Sequence, residues 1–438
     1  MIPRVLMAAL PSLRTLLSPF LLSTGCLALL TADLAQASDW PRFRGPLGNG
    51  VATGKAPEKW SATENIRWQV ELPGAGSSSP IVTGSKVFLT CYSGYGLSET
   101  NPGEPTALRR HALCLDLATG KLLWSHVAEP TGPQTAYQGR YITTHGYASS
   151  SAVTDGQNVY FFLGDSGVFA FTLEGKLLWQ GTVGSASHDW GSGASPILDG
   201  DLLIVNGASE SDTLVAFHKL TGKEVWRYKG IPRAWNTPLI ITGPNQRREL
   251  LLAINGRVLG IDPRTGKELW RAKGIAAAEL CPSFIVHDGM AYLIGGPKGE
   301  GIALRLGGSG DLGATNEVWR VPKGSNVGSP VLKDGHLYFA NDSRGMLYCV
   351  KADTGEVLYE ERLPGRGDRF YASPLLVGDK LYYLGRSGVT YIVAAKPKFE
   401  LLGTNSLAAG NIVFNASPAL VDGKLLIRSD RHLYCIGQ

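Results

Sequence analysis

The chain has 438 residues, 44% of them hydrophobic, and a formal net charge of +5. That length exceeds what one compact core usually spans, so the sequence is divided or built from repeats. The charge is too weak for a nucleic-acid footprint, and no run of Lys or Arg supplies one.

Residues 1–37 read as a targeting segment. Arg4 and Arg14 supply positive charge, an apolar stretch runs from Leu16 to Leu30, and Ala35-Gln36-Ala37 offers a small-x-small cleavage site before Ser38. The apolar stretch is too short and interrupted for a membrane span, so no transmembrane segment is expected after cleavage. Ser23-Thr-Gly-Cys26 resembles a lipoprotein box, but Ser23 stands where leucine is usual. Cleavage after Ala37 is therefore preferred to lipidation at Cys26. The expected mature product is one domain over residues 38–438, periplasmic or secreted and monomeric.

Next come Asp39-Trp-Pro-Arg-Phe-Arg-Gly-Pro46 and Gly48-Asn-Gly50, then a strand pattern at Asn65-Ile-Arg-Trp-Gln-Val-Glu71. From there the chain repeats itself. Ser79-Pro80, Ser151-Ala152, Ser195-Pro196, Thr237-Pro238, Cys281-Pro282, Ser329-Pro330, Ser373-Pro374 and Ser417-Pro418 make eight openings, about 44 residues apart after the first interval. Insertions from Tyr92 to Arg110 and from Glu129 to His145 lengthen that first interval. Loops of this length are lids or partly disordered segments.

Each opening leads into a short apolar strand and a polar turn such as Asp199-Gly200 or Asp422-Gly423. A β-branched and aromatic strand follows, as at His336-Leu-Tyr-Phe339. A third strand ends at a Thr-Gly turn, and a fourth ends at a tryptophan: Trp124, Trp179, Trp226, Trp270 and Trp319. Tyr359 takes that place in the sixth unit. The seventh has Lys398-Phe-Glu-Leu-Leu402 and no Thr-Gly turn, so its outer strand is expected to be irregular.

Four strands per unit at this period mark an all-β, eight-bladed β-propeller of four-stranded antiparallel blades. The last unit supplies only three strands before the chain stops. Its fourth is expected from Asn65–Glu71, with Trp68 in the tryptophan slot, closing the ring. The tryptophans are expected between neighbouring blades, each N–H reaching a carbonyl.

Five cysteines lie beyond the targeting segment, with no Cys-x-x-Cys and no Cys/His metal spacing. Cys114 and Cys349 precede the turn glycines Gly120 and Gly355 by the spacing at which Ala216 and Gly260 precede Gly222 and Gly266. They read as small core residues. Cys91 and Cys114 fall on neighbouring strands, and pairing between them in an oxidising compartment stays open.

The unit Asp-x-x-Thr-Gly-x-x-x-Trp, followed by Ser-Pro and a Val-Tyr strand, resembles the repeat of pyrroloquinoline-quinone-type propellers. The stretch Asp39–Pro46 is similar to the opening of secreted bacterial members of that superfamily. The resemblance implies one of two roles. Quinoprotein alcohol dehydrogenases hold the quinone and a calcium ion in the central funnel. The propeller lipoprotein of the outer-membrane β-barrel assembly machine binds no quinone and acts as a scaffold. This chain lacks the adjacent cysteine pair of many such dehydrogenases, is shorter than they are, and shows no Glu/Asn/Asp calcium set.

In a propeller, the segments just before each opening converge on the channel mouth. Here they carry His145, Tyr147, His188, Trp190, Arg233, Trp235, Asn236, Glu279, Asn326, Arg369 and Tyr371, with Asn411 and Asn415 beyond. Aromatic planes beside cations and amides suit a planar or sugar-like ligand. Trp190 and Trp235 sit outside the repeated tryptophan slot. No catalytic or metal-binding set is assigned. The run Gly308-Ser-Gly-Asp-Leu-Gly313 fits a dinucleotide pattern but sits in a hairpin turn with no helix after it. Asp189 beside His188 is not read as an acid–base pair, since adjacent loop residues often point apart.

The expected function is therefore a non-catalytic binding or scaffold propeller. It would engage a protein or cell-envelope polymer at the channel mouth without a cofactor. The alternative is a quinone-dependent dehydrogenase using pyrroloquinoline quinone with calcium.

Overall fold

The computed structural model describes residues 39–132, 146–188, 190–343, 345–364, 368–407 and 412–437. The expected targeting segment, with Cys26 and the expected cleavage point after Ala37, lies outside the described residues, as do His145, Asp189 and Asn411.

Eight antiparallel sheets follow one another along the chain, as the repeat period requires. The first blade is formed by Ile81–Thr83, Lys86–Ser93, Arg109–Asp116 and Leu122–Ala128, running from channel to rim. The eighth takes three strands from the C-terminal unit, and its rim strand is Ile66–Glu71. That strand runs antiparallel to His432–Ile436 with Trp68 opposite Cys435, so the ring closes as the sequence implies. The protein is an eight-bladed, all-β propeller.

One pairing recurs in seven of the blades. The slot tryptophan, or Tyr359, lies opposite a small residue on the third strand. Trp124 faces Cys114, Trp179 faces Ala170, Trp226 faces Ala216, Trp270 faces Gly260, Trp319 faces Ala303 and Tyr359 faces Cys349. The reason is steric: a Cβ placed on Gly260 would stand 2.2 Å from the Trp270 ring. Most indoles then reach across to the turn of the next blade. Trp124 Nε1 donates to Leu173 O at 3.0 Å, Trp179 to Lys219 O at 2.7 Å and Trp226 to Pro263 O at 3.0 Å. The cores thus form between blades, as where Phe88 and Cys114 meet Phe161 and Phe171 against Trp124.

Three expectations are corrected. The seventh rim strand is no more irregular than the others: Leu401–Ser406 pairs along Val389–Ala394 with a register shift after Ile392 like that of the other rim strands, and with the size relation inverted so that Ile392 faces Gly403. The run Gly308–Gly313 contributes a strand rather than a simple turn. Gly310–Asp311 lies parallel on the rim of the fourth blade beside Trp270 and Arg271. With that segment in place of a Thr-Gly turn, Trp270 Nε1 donates instead to Glu249 Oε2 of its own blade at 2.6 Å. Third, Cys91 and Cys114 do not pair. Cys91 faces His111 and Cys114 faces Phe88, which leaves them three rungs apart on opposite faces of the blade, in different cores.

Candidate functional site

The serine of each opening joins its blade to the next. The N–H of Ser79 donates to Ser151 Oγ at 2.8 Å, that of Ser151 to Ser195 Oγ at 3.0 Å, and that of Ser195 to Thr237 Oγ1 at 3.0 Å. On the far side Ser329 donates to Ser373 at 3.0 Å, Ser373 to Ser417 at 2.9 Å, and Ser417 back to Ser79 at 2.9 Å. At the fifth blade Cys281 replaces the hydroxyl, and Ser283 makes the bond to Ser329 Oγ at 2.9 Å. Burial pushes the Cys281 thiol up to about 12, so it is not a ready nucleophile. These openings were legible as repeat marks. Their hydroxyl ring was not.

Inside the ring lies a cavity of about 290 Å³. One wall is Trp190 and Trp235, 6.3 Å apart and tilted by 57°. Trp235 is fixed by an Nε1 bond to Gly191 O at 2.7 Å, and His188 packs edge-on against it at 5.1 Å. His188 Nδ1 also accepts the Trp190 N–H at 3.1 Å, which shapes the loop. The opposite wall is Tyr371, whose ring lies 4.4 Å from the Arg386 guanidinium and 5.5 Å from that of Arg369. Two cations on one phenol ring make a stacked, electropositive corner. Burial lowers the Arg386 pKa from its ordinary value. Arg386 Nε is held by Asn415 Oδ1 at 2.9 Å. Asn326 and Asp342 complete the lining: the Asn326 N–H donates to Asp342 Oδ1 at 2.9 Å, while the buried Asn326 Oδ1 has no protein partner.

The floor comes from the N-terminal segment, which crosses the channel. Trp40 pairs with Val82 of the first blade, and Pro41 O accepts the Thr154 N–H of the second at 2.9 Å. Val51–Ala52 then runs parallel to Leu375–Val377, the innermost strand of the seventh blade. Phe43 lies between these anchors and enters the cavity lining.

Of the residues singled out in the sequence, Trp190, Trp235, Asn326, Arg369 and Tyr371 are brought together here, with His188 behind Trp235. Tyr147 turns away. It packs at 5.5 Å from Tyr92 and 5.8 Å from Tyr95, inside the first-blade insertion. Asn236 is wholly buried and stitches backbone, donating to Ala253 O at 2.7 Å and accepting the Ala253 N–H at 3.2 Å. Arg233, exposed at positive φ, and half-buried Glu279 stand outside the lining. Sequence reasoning missed Phe43, Asp342 and Arg386. Asp342 and Arg386 follow second strands, whose loops share the face with the segments before each opening.

Behind the Trp190 loop lies a buried polar group. Arg110 Nη2 pairs with Asp165 Oδ1 at 2.8 Å, and its Nη1 donates to Ser166 Oγ at 2.8 Å. Nearby, the Ser192 hydroxyl donates to Glu210 Oε1. Burial pushes the Glu210 carboxyl up to about 7, against the opposing effects of the Ser192 bond and the Arg110 charge.

A calcium–quinone pair was the alternative expectation. The lining offers one carboxylate, Asp342, and among the described residues no three His, Cys, Asp or Glu side chains converge as a metal set. The two indoles are tilted rather than parallel. The described lining thus offers such a pair a single carboxylate beside the amides of Asn326 and Asn415.

The repeats match the family described as outer membrane protein assembly factor BamB over residues 58–190, 186–311 and 309–429. The chain belongs to that family. Its fold is similar to the crystal structure of BamB from Moraxella catarrhalis, at TM-score 0.55 and 16% identity, covering 84% of this chain and 95% of that one. It is also similar to a europium-containing methanol dehydrogenase, at TM-score 0.61 and 12% identity, covering 89% of each chain. A third likeness is the quinohemoprotein alcohol dehydrogenase ADHIIG from Pseudomonas putida HK5, at TM-score 0.55 and 11% identity, covering 91% of this chain and 80% of that one. At these identities the structural likenesses carry the fold alone. No curated protein matches the sequence.

Proposed function

We propose that this BamB-family chain is a non-catalytic binding propeller of the cell envelope, periplasmic or secreted and monomeric, whose channel mouth takes a ring-bearing group of an envelope polymer or partner protein. The observation that carries this reading is the cavity itself. It is floored by Phe43, walled by Trp190, Trp235 and Tyr371, and edged by Arg369, Asn326 and serine hydroxyls. Aromatic planes stack on a ring, and the surrounding donors fix its hydroxyls or acid groups. Among the described lining residues no nucleophile stands beside a base. The cavity's thiol is held protonated by burial, and its lone carboxylate accepts a backbone N–H. The family match supports an envelope setting. Among the described residues no helix is long and apolar enough to cross a membrane.

Titrating envelope glycan fragments and peptides while following tryptophan fluorescence tests the reading. Binding should quench emission, and Trp190→Ala should weaken it by about tenfold to a hundredfold, the loss of one stacked plane. Unchanged affinity in Trp190→Ala would remove the channel mouth as the site. Saturable uptake of pyrroloquinoline quinone with calcium, accompanied by dye-linked alcohol oxidation, would establish the dehydrogenase reading in its place.

A further inference from the structure

Arg42 and Arg44 flank Phe43 in the segment that crosses the channel. Arg44 is 1% exposed, yet only Nη2 of its guanidinium is satisfied by protein, through the carbonyls of Asn49 and Pro330. Its Nε and Nη1 are buried without a protein partner, and so is Nε of half-buried Arg42. Neither arginine makes an ion pair among the described residues. The one carboxylate of the segment, Asp39, is committed elsewhere, accepting from Thr83 Oγ1 at 2.7 Å and the Gly84 N–H at 2.9 Å.

The backbone holds this arrangement in place. Arg44 sits at φ +64°, its carbonyl accepts the Gly50 N–H at 2.9 Å, and its side chain reaches Pro330, just past the ring hydroxyl of Ser329. A Cβ on Gly50 would stand 3.0 Å from Pro374 O and 3.3 Å from Arg44 Nη2, so the loop is packed against the sixth and seventh blades around the guanidinium.

A buried guanidinium with two idle donors and no countercharge is costly. Burial pushes Arg44 down to about 9, and the Arg42 charge adds to that. Two cations placed together, both short of acceptors, form a receptor for negative charge. Had the segment needed only an anchor, the Nη2 bonds and the pairing of Val51–Ala52 would serve without a second arginine.

We propose that Arg44, with Arg42, forms a binding site for a small inorganic anion, of halide or nitrate size, at the base of the channel. The geometry selects for size, because the surrounding loop is tight and the donors are few. The anion neutralises the crossing segment and so holds Phe43 in place as the cavity floor. Ligand binding above and anion binding below are thereby linked. The site itself does not depend on what the cavity binds.

The test uses the mature chain at constant ionic strength, exchanging gluconate for bromide or nitrate. The expected result is a saturable rise in Tm of about 1–2 °C. Arg42→Gln, at a half-buried position, should still fold and should shift the half-saturating bromide concentration upward about tenfold. Arg44→Met should remove the anion-specific rise. Should Arg44→Met fail to fold, crystals of the unaltered protein soaked in bromide decide the matter. An anomalous peak within hydrogen-bond reach of Arg44 Nε or Nη1 supports the site. No peak, together with a Tm that tracks ionic strength and not anion identity, shows hydration by water alone and overturns the proposal.

Discussion

The Ser417 N–H donates to Ser79 Oγ at 2.9 Å, joining the last blade to the first at the channel wall. Both residues are buried, at the edge of the cavity. Ser79→Ala leaves the Ser417 donor idle and should lower stability by about 1–3 kcal/mol. Ser79→Thr should recover most of that, as Thr237 fills the same role in the fourth blade. Urea unfolding of the two variants beside the parent checks it. Equal loss in both would show that the hydroxyl does not matter.

Gly260 and Gly403 both lie at the rung where a third strand meets a rim strand, with opposite consequences for an added methyl. Gly260→Ala drives a carbon into the Trp270 ring, where 2.2 Å separates them. It should cost about 1–3 kcal/mol. A Cβ on Gly403 meets nothing within 4 Å. Gly403→Ala should therefore be neutral or slightly stabilising, within about 0.5 kcal/mol. Thermal unfolding of the pair gives the comparison directly.

Glu210 gives the fold a pH dependence of defined sign. Its carboxyl is pushed up from an ordinary 4.5 to about 7 by burial. It therefore binds its proton more tightly folded than unfolded, and the folded chain carries more protons between those values. The stabilisation is complete below about 4.5 and is lost as pH rises through about 7, an effect on the order of 3 kcal/mol. Glu210→Gln should flatten stability across that window. A slope unchanged by the substitution would assign the dependence to another group.

Arg110 and Asp165 form a pair with side-chain exposures of 4% and 1%. Arg110→Met strands a buried carboxylate and should cost about 3–5 kcal/mol. Adding Asp165→Asn should recover part of the loss. Additive losses in the double variant would mean that the two side chains act independently.

The fold was legible because a blade cannot bury its faces alone, so the same punctuation had to recur at each one. Even the small slot of Cys114 and Gly260 could be read, although its cause, the ring opposite, needed coordinates. The seventh blade escaped because the size relation was reversed, Ile392 taking the bulk that Gly403 gives up. The site was half legible. Trp190 and Trp235 stood out by lying off the repeated slot. Tyr147 and Asn236 are polar residues of the expected type in the expected segment, but residue type does not give direction, and both turn into packing. Phe43 could not be placed, because nothing local says that residues before the first blade re-enter the channel.

The clasp between Ile66–Glu71 and His432–Ile436 sets an order of events during synthesis. The earlier strand must wait, its backbone donors and acceptors bonded only to water, until His432–Ile436 has emerged. Until then the growing arc has a sticky end at each side, open to a neighbouring nascent molecule as readily as to its own tail. Loss of His432–Ile436 would leave that wait without an end.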